Sequence, residues 1–173
     1  MNFYQETARL RLQNATTADA AELAKKRSTP FVMRYNLYTP CDEAQILAEL
    51  DCYEHIVLKS PQTGEIIGAV SIRDDNFRYH IEAKELHAWL TEEYAHQGLM
   101  AEALTPIMEK VFADGAERIS VRILSNNKAS LKLAEKLGFI REGYLVRALK
   151  NAVGEVFDVA LYSLSREMLP KTK

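Results

Sequence analysis

Two cysteines, Cys41 and Cys52, are all that the 173-residue sequence carries, and they stand in no Cys-x-x-Cys or other metal-type spacing. Two thiols are too thin a framework for a disulfide-stapled fold of this length, so both read as free. The four histidines, His55, His80, His87 and His96, form no His-x-x-x-His pair that would set two ligands on one helix face. No metal is expected, and each reads as an ordinary surface or half-buried imidazole. No apolar run approaches the roughly 20 residues that a membrane-spanning helix requires, and the polar start from Met1 to Thr7 lacks a hydrophobic secretory segment. A soluble cytoplasmic protein is the expectation. Nor does one charge dominate: the net charge is −2, with Lys and Arg scattered among Asp and Glu. Without an electrostatic footprint for a phosphate backbone, nucleic acid is not expected as a direct partner. Internal repeats, low-complexity tracts and Gly/Ser/Pro-rich linkers are also missing, so a single domain over residues 1–173, with its core at about 8–168, is expected.

What remains is an ordinary globular composition, 47% apolar and 27% charged, enough for a substantial core. Residues Ala8 to Asn14 alternate Leu10 and Leu12 with Arg9 and Arg11, a period-2 strand pattern, and Thr17 with Asp19 opens a helical stretch through Lys26. A second helix is expected from about Asp42 to Leu50. A strand at His55 to Lys59 then turns through Pro61-Gln62-Thr63-Gly64 into another at Glu65 to Arg73, and Glu85 to Leu90 makes a third. From Leu99 to Phe112, apolar residues at Met100, Leu104, Ile107, Met108 and Val111 repeat at helical spacing, with Gly115 as a stop. Pro106 is the anomaly in that helix, since it removes a donor and should kink the helix or cost about 3 kcal/mol. Strand Arg118–Leu124, helix Asn127–Leu137 and strands Phe139–Val146 and Val156–Ser163 complete a mixed α/β chain, suggesting a central mixed sheet with helices on both faces.

The segment before the long helix carries the first hint of chemistry. The amides of Gln97-Gly98-Leu99-Met100-Ala101 fall at a helix N-terminus, where the first N–H groups lack internal partners and carry partial positive charge. Gly98 permits close approach of a ligand there. Taken alone, one glycine before a helix reads more readily as an ordinary loop with a permissive residue. A nucleotide-hydrolase phosphate loop is excluded because no Gly-Lys-Ser/Thr follows, and a dinucleotide fingerprint because the further glycines are absent.

Taken in order, several segments resemble the GNAT acetyltransferases, in particular the branch of ribosomal-protein N-terminal acetyltransferases of the Rim type. Thr7-Ala8-Arg9-Leu10-Arg11-Leu12 is similar to that branch's opening strand, Met33-Arg34-Tyr35 to its early helical turn, and Gly64-Glu65-Ile66-Ile67-Gly68 to its central hairpin. Glu85-Leu86-His87-Ala88-Trp89-Leu90, then Glu93-Tyr94 and Gln97-Gly98-Leu99-Met100-Ala101-Glu102-Ala103-Leu104, resembles its cofactor strand and pyrophosphate turn. Asn127-Lys128-Ala129-Ser130, Glu135-Lys136-Leu137-Gly138-Phe139, Glu142-Gly143-Tyr144-Leu145, Phe157-Asp158-Val159 and Tyr162-Ser163-Leu164 match the closing helix and strands. The turn departs from the superfamily's Arg/Gln-x-x-Gly-x-Gly/Ala at both ends, with Ala95 first and Met100 last. Because backbone amides supply most anion contacts, the loss at Ala95 should weaken cofactor binding without abolishing it.

The resemblance implies a GNAT-like fold: a central, mixed, mostly antiparallel twisted sheet of about seven strands with helices on both faces. It also implies acetyl-coenzyme A as cosubstrate, no metal, and a primary amine as acceptor, either a protein N-terminal α-amino group or a small-molecule amine. The cofactor would lie against Ala88, Trp89 and Leu90, against His96, Gln97, Gly98, Leu99, Met100 and Ala101, and against Asn127 and Ser130. Acetyl transfer needs a base and a proton for the leaving thiolate. The resemblance puts Glu85 at the place of the base, directly or through water, and Ser130 beside the thiolate. The tyrosine that many members place four residues before the Gly-Phe pair is Ala134 here, so that acid is ruled out. Arg34, Tyr35 and Asp158 are candidates on the acceptor side.

Each assignment has a plainer reading. Glu85 is then a surface carboxylate, Asn127 a helix cap, Trp89 core filling, and Arg34, Tyr35 and Asp158 structural pairs. A non-catalytic acyl-coenzyme A-binding or regulatory protein, and an interaction protein with no ligand, are the competing classes. Oligomeric state is left open, a homodimer among the options.

Overall fold

A computed structural model describes residues 1–36, 39–151 and 154–169. The alternating segments become strands β1 (Tyr4–Glu6), β2 (Arg11–Asn14), β3 (Glu54–Lys59), β4 (Ile66–Asp74), β5 (Ala83–Leu90), β6 (Arg118–Leu124), β7 (Ile140–Lys150) and β8 (Val156–Ser165). The helices are α1 (Ala20–Arg27), α2 (Pro30–Asn36), α3 (Glu43–Cys52), α4 (Leu99–Ala113) and α5 (Lys128–Lys136). The strands form one eight-stranded sheet in the order β1-β2-β3-β4-β5-β6-β8-β7. The β1/β2, β2/β3, β3/β4, β6/β8 and β7/β8 ladders are antiparallel and β5/β6 is parallel. No helix among the described residues is long and apolar enough to cross a membrane.

The chain forms two compact units, and β5 and α4 each run from one into the other. In the first unit, residues 1–73 and 87–107, Ala20, Leu23 and Ala24 of α1, Val32 of α2 and Ile46 of α3 pack with Val57, Ile66, Ala69 and Trp89. The start of α3 is fixed by a reciprocal capping box: Asp42 Oδ1 accepts from Gln45 N at 2.9 Å, and Gln45 Oε1 accepts from Asp42 N at 3.0 Å. Asp19, before α1, takes the Thr16 N–H at 2.8 Å and pairs with Lys59 at 2.6 Å.

The second unit, residues 74–86 and 108–173, is built on β6, β8 and β7. The β6/β8 ladder is regular from Arg118↔Ser165 to Leu124↔Val159, whereas β7/β8 shifts register at Arg141/Gly143 and again at Leu145/Leu149. Arg147, inside the second irregularity, has φ +52°.

Three differences from the sequence pattern have physical causes. The sheet has eight strands because the polar, exposed Tyr4–Glu6 pairs with β2 as an edge, a strand with no apolar periodicity to betray it. Ala8 and Arg9 are not strand but lie in the turn joining β1 to β2, where Thr7 N donates to Leu10 O at 2.9 Å and Leu10 N to Thr7 Oγ1 at 3.0 Å. Finally, α4 runs without interruption through Pro106. Ile107, Met108, Val111 and Phe112 are all buried, and burial at about 1.5–3 kcal/mol per side chain outweighs the roughly 3 kcal/mol proline cost.

Candidate active site

In the first unit, β5 leads through a short turn at Glu92–Tyr94 to Gly98 and α4. Thr91 N donates to Ile67 O at 2.9 Å, and Tyr94 N to Thr91 O at 3.2 Å, so the chain leaves the sheet in a fixed direction. His96 (φ +60°) and Gly98 (φ +78°) both occupy the left-handed region, which lets the chain double back into the helix. Glu102 N closes the first helical bond, onto Gly98 O at 3.1 Å. The amides of Leu99, Met100 and Ala101 therefore sit in the first turn of a 15-residue helix, where the geometry gives them no intrahelical acceptor. A Cβ on Gly98 would meet only Arg9 Nη2, at 3.8 Å. The turn thus presents clustered N–H donors and space in front of them, which fits a diphosphate.

β5 adds a second feature. Thr91 N points to β4, so alternation along the strand turns the N–H and C=O of Leu90 and Ala88 to the opposite edge. On that edge the ladder with β6 covers only Ala83↔Arg118, Lys84↔Ile119 and Glu85↔Ser120. Past Glu85 the edge of β5 offers backbone groups of the kind that an extended amide chain adds to as an extra strand. The Trp89 ring is core, 6% exposed and packed in the α1–α3 cluster, and its backbone groups turn towards β4, so those of Ala88 and Leu90 are what a ligand would meet. Gly68 permits that course: a Cβ there would lie 2.4 Å from Trp89 O. Arg34 and Tyr35 of α2 stack on one another, with the guanidinium carbon 5.2 Å from the ring centre.

Arg9 is the residue that sequence reasoning missed in this unit. Its Nη1 donates to Gln97 O at 3.0 Å and its Nε to Glu102 Oε2 at 2.8 Å, while its backbone N reaches Glu102 Oε1 at 2.9 Å. Burial would raise the Glu102 carboxyl, but hydrogen bonds from Thr7 and Arg9 outweigh it and hold the group below the ordinary carboxylate range. The signal lay in the Thr7-Ala8-Arg9 segment, read as strand alternation instead of as a turn that delivers a side chain.

In the second unit, Glu85 is 3% exposed and its two carboxylate oxygens pair with Nε and Nη2 of Arg122 on β6. The Glu85 hydrogen bond is the main cause that raises Arg122 further above its ordinary value. Glu85 is therefore not a surface carboxylate, and Arg122, half exposed above it, is a neighbour the sequence did not point to. Asn127 caps α5, its Oδ1 accepting from Ser130 N at 3.2 Å, and Ser130 stands half-buried in the first turn. Asp158 of β8 is held on both oxygens, by Arg147 N at 2.7 Å and Tyr144 Oη at 3.2 Å. Cys41 and Cys52 are free thiols, and among the described residues no group of three or more His, Cys, Asp or Glu is placed to hold a metal ion.

Comparison with known proteins follows the same outline. Residues 9–140 match the family model described as an acetyltransferase (GNAT) domain. The "Uncharacterized N-acetyltransferase p20" of Bacillus licheniformis is 28% identical over 174 aligned residues, covering 91% of this chain and 93% of that one. Among solved structures, the ribosomal-protein-S5-alanine acetyltransferase of Vibrio fischeri superposes with a TM-score of 0.81 at 22% identity, over 98% of this chain and 100% of that one. The Salmonella typhimurium enzyme that modifies the N-terminal serine of ribosomal protein L7/L12 does so with a TM-score of 0.77 at 17% identity, over 92% and 96% of the two chains.

Proposed function

The chain belongs to the GNAT family of acetyltransferases and is an N-acetyltransferase, and from that premise we propose that it moves the acetyl group of acetyl-coenzyme A to the α-amino group of a protein N-terminus. The observation that carries the reading is the left-handed Gly98 at the head of α4. Likeness of fold to two enzymes that modify ribosomal proteins supports the acceptor class, with a small primary amine as the second choice. In this reading residues 1–173 act as one cytoplasmic catalytic domain of the Rim-type branch.

Acetyl-coenzyme A supplies the activated thioester. His96, Gln97, Gly98, Leu99, Met100 and Ala101 would hold its diphosphate on backbone amides, and Ala88 and Leu90, on either side of Trp89, would hold the pantetheine arm as an added strand. Asn127 would serve both the α5 cap and an amide of that arm. Ser130 would donate its hydroxyl hydrogen to the leaving sulfur, a stabilising contact more than a proton transfer. Glu85 would take a proton from the acceptor's ammonium through water, leaving the neutral amine to attack the thioester carbonyl. Its pairing with Arg122 fixes its orientation. On the acceptor side, Asp158 offers a held carboxylate for a cationic N-terminus, and Arg34 and Tyr35 would be further acceptor contacts.

The test is release of free coenzyme A from acetyl-coenzyme A in the presence of a panel of N-terminal peptides and small amines. Turnover with at least one peptide is expected, and Glu85→Gln should lower kcat/KM by about 100-fold. No turnover above background with any acceptor overturns the reading. Turnover with small amines alone moves the acceptor to that class.

A further inference from the structure

Arg9 sits in the tight turn between β1 and β2, and its guanidinium divides its donors between two acceptors. Nε and Nη2 face Glu102 Oε2 at 2.8 and 2.7 Å, and Nη1 donates to the Gln97 carbonyl oxygen at 3.0 Å. Glu102 is itself held, since its Oε1 accepts from Arg9 N at 2.9 Å and from the Thr7 hydroxyl at 2.5 Å. The arginine is therefore locked in place even though half of its side chain is exposed.

The consequence falls on the Gln97–Gly98 peptide. A trans peptide is planar, with its C=O and N–H on opposite sides. Tethering Gln97 O to Arg9 thus fixes the Gly98 N–H in the opposite direction. At φ +78°, Gly98 has no side chain to restrain its rotation, so without the tether this peptide is the loosest in the turn. Within the turn, Gln97 Nε2 donates to Glu93 O at 2.7 Å, which holds the Gln97 side chain, whereas the Gln97 carbonyl takes its side-chain partner from Arg9. A guanidinium is suited to the task because it presents several donors in one rigid plane, which lysine cannot.

We propose that Arg9 is a positioning residue for coenzyme A: anchored by Glu102 and Thr7, it holds the Gln97 carbonyl so that the Gly98 N–H is presented to the diphosphate. This rests on the acetyl-coenzyme A reading above and adds a side chain from outside the turn to it. The effect is on ground-state and transition-state binding alike, because the diphosphate is remote from the reacting carbonyl and takes no part in bond making.

The experiment compares two acetyl donors, acetyl-coenzyme A and S-acetylpantetheine, which lacks the diphosphate, in the wild type, Arg9→Ala and Arg9→Lys. Arg9→Ala should raise KM for acetyl-coenzyme A about tenfold while kcat changes by less than about twofold, the signature of lost uniform binding. The preference for acetyl-coenzyme A over S-acetylpantetheine, as a ratio of kcat/KM, should fall by the same factor. Arg9→Lys keeps the charge without the two-acceptor geometry and should show most of the same loss, which keeps the test decisive if the alanine variant folds poorly. Equal losses with both donors would mean general structural damage, and full rescue by lysine would mean charge alone; either overturns the proposal. A wild type that neither binds nor turns over acetyl-coenzyme A instead sinks the underlying reading, a result distinct from both.

Discussion

A methyl group on Gly68 would stand 2.4 Å from the Trp89 carbonyl oxygen and 2.7 Å from Leu90 Cδ2, whereas one on Gly98 would meet nothing nearer than 3.8 Å. Alanine therefore acts differently at the two sites. Gly68→Ala must push β4 away from the end of β5, and overpacking of that kind costs about 1–3 kcal/mol. A lower thermal midpoint is expected, together with a raised KM for acetyl-coenzyme A because the displaced backbone is the one assigned to the pantetheine arm. Gly98→Ala has room but a left-handed φ, a penalty of about 1–2 kcal/mol. Thermal unfolding with and without coenzyme A separates the two: the ligand-induced rise in midpoint should shrink for both variants, with the larger loss of unliganded stability in Gly68→Ala. An unaltered midpoint in Gly68→Ala would contradict the close approach of the two backbones. The sequence singled out Gly98 from its place before a helix. It gave no reason to weigh Gly68, whose constraint comes from a strand some 20 residues away, at Trp89.

At the scale of elements, helix ends and interiors make separate predictions. Asn127 caps α5 through Ser130 N, so Asn127→Ala should cost about 1 kcal/mol in urea unfolding while Asn127→Asp, another good cap, costs much less. Equal losses would show that the amide group serves something other than the cap. In α4, Pro106 has no N–H for the Glu102 carbonyl four residues back. Pro106→Ala is expected to raise the thermal midpoint, and a fall would mean that the surrounding packing has been fitted to the ring. Those two helices and β6 were readable because their apolar residues recur at the right period over seven residues or more. β1 was not, since an exposed edge of three residues, Tyr-Gln-Glu, buries nothing and so carries no pattern. For the same reason Arg9 was taken as one beat of an alternation, although its turn depends on the Thr7 hydroxyl, a bond that residue spacing does not reveal.

For the whole molecule, pH exposes a buried group outside the proposed chemistry. His55 on β3 is 7% exposed, with Nδ1 3.0 Å from Ser71 Oγ. Burial, reinforced by the nearby Arg73 and Arg27 against the opposing pull of Glu49, lowers it from 6.5 to about 4. Between those values the unfolded chain binds a proton that the folded chain does not, so stability falls as pH drops through the window. The loss reaches on the order of 3 kcal/mol once pH is below both values. Urea unfolding at pH 7 and pH 4.5 should show a smaller pH-dependent loss in His55→Gln than in the wild type, and identical losses would exclude His55 as the source. The same comparison of levels explains what was legible about the site. The left-handed turn at Gly98 and the Asn127 cap could be named because a backbone feature of the helix start defines them. Arg122 could not be named, because its pairing with Glu85 depends on which strands lie side by side, and the β5/β6 ladder joins residues more than 30 apart.

That ladder has a further consequence in time as well as in space. It holds for three residue pairs and ends at Glu85, so β5 continues with one edge on β4 and the other outside the ladder to β6. Solvent deuterium should then enter the amides of Ala88 and Leu90 long before those of the fully buried Ile56, Val57 and Leu58 on β3. Addition of coenzyme A should slow exactly those two early sites, turning the frayed side of one strand into a clock for occupancy.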